Sequence, residues 1–256
     1  MDVVFIHIPK CAGTSISSAS KTRDGVNVYG GKNKDRYIDG HYPFGVHNTD
    51  GIKESFGFSD SSAISCFTFL RHPISRWISQ YRHVAWRSGG AMKTLMKKCL
   101  NDTSSKNIAY FLDQCIENNV NSNTMVKQLS GFELKKNKDN NYHIYKPQLC
   151  NGAMICDENM LEAAKSNLVN GFDVVGFVEN FSEDFKKLCS FYNWDSVEAP
   201  EKNIHAKFKK KKDQRRARWG SVDFSSAEPK LVELNKFDLE LYKFARSKFL
   251  ECNYEL

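Results

Sequence analysis

VVFIHIPKCAGTSI, residues 3–16, is the segment around which the chain is organised. It begins with apolar, strand-forming residues, breaks at Pro9 and resumes with a helical pattern after Gly13. A buried strand whose small-residue loop opens a helix presents backbone N–H groups to an anion. Lys10 adds a cation where phosphate charge would sit. The alternative is a structural strand–turn–helix corner with an incidental lysine.

The loop supplies the first set of candidate binding residues. Gly13 allows close backbone approach, and hydroxyl groups follow in the first helical turn. No Gly-Lys-Ser/Thr sequence closes the loop, so it does not follow the Walker pattern. The candidate anion contacts are Lys10, Cys11, Ala12, Gly13, Thr14 and Ser15.

The composition indicates a folded protein with an anionic partner. The hydrophobic fraction is 41%, and the aromatic fraction of 12% argues against a disordered chain. The 256 residues suffice for one large α/β domain, with or without an appendage. The formal charge of +7 favours nucleotide phosphates, sulfated glycans, nucleic acid or a membrane surface as partners, without choosing among them.

The cysteines and the apolar runs bear on the compartment. No apolar run reaches the ~18 residues that a membrane-spanning helix needs. Residues 3–8 lack a preceding basic region, so we predict a core strand there and no signal peptide. The eight cysteines are expected to be buried free thiols, with a local disulfide between Cys150 and Cys156 as the alternative.

A second strand, predicted over residues 62–70, ends at Arg71. Pro73 is placed as the first residue of a helix, and Ser79 follows about two turns into it. Ser79 can therefore face back toward Arg71, whose guanidinium fork suits phosphate oxygens. The alternative is an ion pair of Arg71 with a carboxylate and a serine that only lines the helix.

A histidine follows another short apolar segment, at Gly40-His41. A histidine at the end of a strand is exposed at the sheet edge where ligands bind in α/β folds. The alternative is a solvated loop histidine.

The remaining pattern repeats strand and helix. Apolar stripes over residues 91–131 predict helices that face the core, and a third strand over residues 172–178 precedes an amphipathic helix. We predict an α/β fold with a central parallel sheet flanked by helices. Residues 1–256 are expected to form one domain, with residues 84–150 as a helical insertion on the acceptor side.

The most basic segment is residues 205–218, HAKFKKKKDQRRAR. Such a run is a solvated face, a polyanion-binding stripe, or a flap over residues 203–220 that closes on a nucleotide. In the last case Lys207 and Lys209 are candidate cofactor contacts.

Two motifs in this order resemble one enzyme family. HIPKCAGTS, residues 7–15, resembles the 5′-phosphosulfate loop of sulfotransferases that use 3′-phosphoadenosine 5′-phosphosulfate (PAPS), and RHPISRWIS, residues 71–79, is similar to their 3′-phosphate segment. The resemblance is closest to carbohydrate O-sulfotransferases, including the heparan sulfate 2-O-sulfotransferases and the chondroitin sulfotransferases. The resemblance spans roughly residues 2–250, including the helix–strand pattern of residues 163–179. It has two departures: Cys11 replaces the usual threonine of the loop, and residues 84–150 and the basic segment do not map clearly onto the family.

The resemblance implies a P-loop-like nucleotide-binding sulfotransferase fold, an activity, and roles for the residues of the two motifs. A sulfuryl group would pass from PAPS to an acceptor hydroxyl, with adenosine 3′,5′-bisphosphate (PAP) as the second product. Lys10 would stabilise the transferring charge, His41 would act as the catalytic base, as in the heparan 2-O branch, and Arg71 and Ser79 would hold the 3′-phosphate.

The expected partners follow from the same resemblance. The acceptor would be a carbohydrate. For the protein itself we expect no metal cofactor, no nucleic-acid partner and no membrane segment in this chain. We expect a soluble protein, cytoplasmic, or in the Golgi lumen if an anchor precedes this chain. A nucleotide or small-molecule kinase and a non-catalytic polyanion-binding protein are the alternatives.

Overall fold

A four-stranded parallel sheet lies at the centre of the computed structural model, which describes residues 2–19, 36–40, 64–86, 91–131, 155–194 and 219–250. The strands are β1 (Asp2–Ile6), β2 (Arg36–Gly40), β3 (Ile64–Leu70) and β4 (Val174–Phe177), in the order β2-β1-β3-β4. Every neighbouring pair is parallel, so the carboxyl ends of the strands meet at one edge. The prediction of an α/β fold with a central parallel sheet is confirmed.

Helices surround this sheet and connect its strands. In the described ranges they are α1 (Gly13–Ala19), α2 (Pro73–Trp86), α3 (Ala91–Cys99), α4 (Ser105–Glu117), α5 (Thr124–Leu129), α6 (Glu158–Asn170), α7 (Phe181–Phe191), α8 (Glu228–Leu234) and α9 (Lys236–Leu250). Helix α2 begins at Pro73, as predicted, because proline has no N–H to leave unpaired in a first turn. Asp157 caps α6 by accepting the Met160 N–H at 2.9 Å.

The buried side chains form two clusters. The first surrounds the sheet and includes the four consecutive β1 residues at positions 3–6, all fully buried, as expected of a parallel strand covered on both faces. The second is built from α2, α3, α4 and residues 219–234. The apolar side chains of the helices predicted over residues 91–131 lie in these two clusters, which confirms the prediction that these helices face the core.

The strands are shorter than the apolar runs that encode them. Strand β1 ends at Ile6, whose carbonyl accepts a hydrogen bond from the Thr68 hydroxyl at 2.9 Å. Strand β4 ends at Phe177, because the Asp184 carboxylate takes the Phe177 N–H at 2.8 Å and the chain turns into a short 3₁₀ helix. The hydrogen bond from Thr68 comes from the paired strand β3, whereas at the end of β4 a side chain of the following helix takes the backbone N–H.

The cysteines and helices of the described residues can be compared with the expectations. Six thiols are free and buried, which agrees with the prediction of free cysteines at Cys11, Cys66, Cys99, Cys115, Cys156 and Cys189. Cys150 lies outside the described residues. Within the described part of the chain, none of the helices is both long enough and apolar enough to cross a membrane.

Candidate functional site

The loop between β1 and α1 has an unusual backbone. Lys10 and Ala12 have φ angles of 72° and 61°, in the left-handed region that residues other than glycine seldom occupy. The Cys11 N–H donates to the Ile8 carbonyl at 3.1 Å and the Ser15 N–H donates to the Ala12 carbonyl at 2.9 Å, so these two N–H groups stabilise the turn itself. Left-handed residues that alternate with ordinary ones turn successive N–H groups to one side, which is the geometry of anion-binding nests.

His7 explains why the loop needs a glycine. A Cβ at position 13 would lie 1.8 Å from His7 Nε2, so only glycine fits against this imidazole. The His7 ring is held in place by stacking on Phe5, with centroids 5.2 Å apart. The requirement at Gly13 is therefore steric: its φ is not positive, and the His7 ring occupies the space.

Helix α5 supports the same loop from behind. The Gln128 side chain donates from Nε2 to the His7 carbonyl at 3.0 Å, and Gln128 is fully buried. His7 follows the last residue of β1, so its carbonyl lies beyond the sheet, and Gln128 supplies a hydrogen-bond donor for it. The sequence predicted only core packing for α5, and its polar residues, Gln128 among them, gave no local indication of a contact with His7.

The two predicted phosphate segments meet at this sheet edge. Arg71 Nη1 donates to the Lys10 carbonyl at 3.3 Å, and both residues are half-buried. A guanidinium carries five N–H donors, so this bond leaves others for an anion. Ser79 is half-buried on α2, and its pairing with Arg71 on one phosphate stays a prediction.

The other loop residues differ in their exposure. Thr14 is exposed and Ser15 is half-buried, whereas Cys11 is fully buried. Burial raises the pKa of the Cys11 thiol to about 12, although the charges of Arg76 and Arg71 lower it in part. With its thiol in the core and its N–H bonded to Ile8, Cys11 supports the loop through packing.

A buried ion pair anchors the start of α2 to two other helices. Arg76 Nε lies 3.8 Å from Asp238 Oδ2, and both side chains are fully buried. Asp238, on α9, accepts two N–H groups at the start of α5, at 3.2 and 2.9 Å. In return Asn123, the residue before α5, accepts two N–H groups at the start of α9, at 3.0 and 3.2 Å. These helices thus cap each other, and Arg76 neutralises the carboxylate that does so.

Some predicted site residues lie outside the described part of the chain. His41, Lys207 and Lys209 are among them. Gly40 is described, and its register opposite Ile6 puts the end of β2 beside the start of the loop. Within the described ranges, no three His, Cys, Asp or Glu side chains are grouped as a metal ion would need, and the expectation of no metal cofactor stays a prediction.

Comparison with known proteins supports one family. The model of the sulfotransferase family matches residues 1–245, a span that includes both phosphate segments and the whole sheet. No curated protein sequence matches the chain.

Proposed function

This chain belongs to the sulfotransferase family, and we propose that it moves a sulfuryl group from PAPS to an acceptor hydroxyl. Sulfuryl transfer follows from the family, whose members generally use PAPS. The observation that carries the donor proposal is the hydrogen bond from Arg71 to the Lys10 carbonyl. It joins the two segments that would hold the opposite ends of the nucleotide.

The donor would lie along the carboxyl edge of the sheet. The nest at residues 10–13, with the Thr14 and Ser15 hydroxyls, is the proposed 5′-phosphosulfate site. Arg71 and Ser79 are the proposed 3′-phosphate contacts, because a guanidinium fork matches phosphate oxygens. Ala12 would contribute through its backbone and Cys11 through packing. Lys207 and Lys209 remain proposed contacts on sequence grounds.

The reaction we propose is an in-line displacement at sulfur, by analogy with phosphoryl transfer. The acceptor oxygen forms a bond to sulfur while the bond from sulfur to the 5′-phosphate oxygen breaks, and PAP leaves with that electron pair. Lys10 would stabilise the negative charge that develops on the sulfuryl and leaving oxygens. The acceptor proton would pass to His41, since an imidazole with a pKa of ~6.5 suits a base near neutral pH.

The acceptor is proposed to be a carbohydrate. Two observations support this choice: the resemblance of Gly40-His41 to the heparan 2-O-sulfotransferase pair, and the formal charge of +7, which suits an anionic glycan. The register of Gly40 opposite Ile6 is compatible with a base that faces the Lys10 loop.

Ligand-induced thermal stabilisation tests the donor proposal. We expect PAP to raise the melting temperature in the presence of EDTA, since a ligand that binds the native state stabilises it. Stabilisation by Mg-ATP alone would instead indicate a kinase. A transfer assay with sulfur-labelled PAPS across desulfated heparan, chondroitin and simple alcohols would then identify the acceptor.

A further inference from the structure

Glu179 joins three elements at the carboxyl edge of the sheet. It lies in the 3₁₀ turn Val178–Asn180 that follows β4. Its Oε1 accepts the backbone N–H of His72 at 2.8 Å, and its Oε2 accepts the Tyr242 hydroxyl at 2.8 Å. Both carboxylate oxygens are therefore engaged, although the residue is exposed.

The first contact fixes the residue that separates Arg71 from α2. The His72 carbonyl accepts the Arg76 N–H at 2.8 Å, so His72 is the residue from which α2 starts. Its own N–H has no partner within the helix, and a carboxylate is the most favourable acceptor at a helix N-terminus. With both its N–H and its carbonyl bonded, the backbone of His72 is held firmly, and Arg71 is the residue immediately before it.

The second contact anchors the carboxylate to α9. The Tyr242 hydroxyl also accepts a bond from Arg246 Nη1 at 3.4 Å, and the Tyr242 ring meets the His72 ring edge-on with centroids 5.6 Å apart. Burial raises the pKa of Tyr242 to about 12, which keeps its hydroxyl a donor at neutral pH. Glu179 is thus held in one orientation by Tyr242 as well as by His72.

The charge of Glu179 distinguishes its role from that of a ligand contact. A carboxylate near an anionic donor opposes binding through its charge, so a direct contact with phosphate would be unfavourable. We propose that Glu179 is a positioning residue that orients Arg71 toward the 3′-phosphate of the donor by fixing His72. This inference rests on the proposed function, because it takes PAPS as the donor.

The test measures the affinities for PAP and for 5′-AMP, which lacks the 3′-phosphate, by titration calorimetry. In Glu179→Ala we expect the PAP affinity to fall about tenfold, because the carboxylate that fixes His72 is gone, while the 5′-AMP affinity changes less than about threefold. Glu179→Gln should recover most of the PAP affinity, because its amide oxygen can still accept the His72 N–H. Glu183→Ala is the matched control: it removes the same charge from an exposed position on α7 and should match the wild type.

The outcomes separate this inference from the proposed function. A wild-type protein that does not bind PAP would overturn the proposed function, and this inference with it. Binding of PAP by the wild type, with the same preference for PAP over 5′-AMP in Glu179→Ala, would overturn this inference alone. If Glu179→Ala does not fold, Tyr242→Phe removes one of the two bonds; it should lower the PAP affinity about threefold and spare 5′-AMP, and an unchanged ratio would contradict the positioning role.

Discussion

Arg71 donates a hydrogen bond from Nη1 to the carbonyl oxygen of Lys10 at 3.3 Å. Arg71 follows β3 and Lys10 follows β1, and these strands are parallel neighbours in the sheet. The bond therefore spans the edge where ligands of α/β proteins bind. In the proposed enzyme it couples the residue that holds the 3′-phosphate to the lysine beside the reacting sulfur.

Replacing Arg71 should reduce recognition of the 3′-phosphate. We expect Arg71→Ala to lower the PAP affinity by about 10- to 100-fold, since a hydrogen bond between charged groups contributes about 1.5–3 kcal/mol. Arg71→Lys should recover only part of it, because an ammonium lacks the planar fork. Calorimetry with PAP and 5′-AMP measures the effect; equal losses for both nucleotides would argue against a 3′-phosphate contact.

Substitution of Gly13 should act through His7. A methyl group at position 13 would lie 1.8 Å from His7 Nε2, so Gly13→Ala should destabilise the fold by about 1–3 kcal/mol, as overpacking does. In a His7→Ala background the same substitution should have little effect, because the space is then free. Urea unfolding of the four proteins of this cycle gives the coupling energy, and a coupling near zero would show that the ring does not impose the glycine.

Stability should fall at alkaline pH because of the buried thiols. Burial, reinforced by the Asp173 charge, raises the pKa of Cys66 from 9.0 to about 12. Above pH 9 the unfolded thiol ionises while the native one keeps its proton, so the native state binds more protons and the free energy of unfolding falls as pH rises toward 12.

Cys66→Ala isolates the contribution of that one thiol. Without this thiol, the free energy of unfolding should fall less steeply between pH 9 and 12, by about 1.4 kcal/mol per pH unit, the slope that one proton contributes. This change of slope is expected whatever the substitution does to stability at neutral pH. Unfolding in urea across this pH range measures the slope. The exposed Ser190→Ala should keep the wild-type slope, and an unchanged slope in Cys66→Ala would show that the native thiol also ionises.

His41 is proposed as the base, and its removal should separate catalysis from binding. His41→Ala should lose about two or more orders of magnitude in turnover, the usual contribution of general base catalysis, with PAP affinity unchanged. The rate of the wild type should rise with pH as the imidazole loses its proton, and this rise should be absent from the residual activity of the variant. Turnover at the wild-type rate would refute the assignment.

The central architecture could be predicted from the sequence because local patterns encode it. The apolar run that became β1 is continuous from Val3, as a buried parallel strand requires, and the run that became β3 has only Ser65 and Thr68 as polar residues. Pro73 and Asp157 mark helix starts through local chemistry. The strand order could not be predicted in the same way. It depends on pairing between segments distant in sequence, such as residues 2–6 with residues 64–68.

Residues that support the site were missed for a related reason. Asn123 and Asp238 cap each other's helices across more than a hundred positions of sequence, and no local pattern reveals such a pair. The sequence placed His7 at the end of a core strand and the start of the loop, but it did not predict the contact with Gly13, because that contact depends on the direction of a side chain. Asn123 did carry one usable signal, because asparagine tolerates the left-handed conformation that it adopts, with φ of 43°.

Cys11 occupies the loop position where the resemblance to the sulfotransferase family leads one to expect threonine. The structure buries Cys11 fully, with its N–H bonded to the Ile8 carbonyl. The Cys11 thiol therefore packs in the core, and contact of the donor with this residue stays a prediction.

The most direct measurement of the central claim is the single-turnover rate of sulfuryl transfer by Lys10→Ala with saturating PAPS. Because a preorganised charge acts mainly on the transition state, we expect the rate to fall by about 10²–10³-fold while the PAP affinity falls far less. Lys10→Arg, which keeps the charge with a different shape, serves as the matched variant and should retain an intermediate rate. A Lys10→Ala protein that transfers sulfate at the wild-type rate would contradict the account.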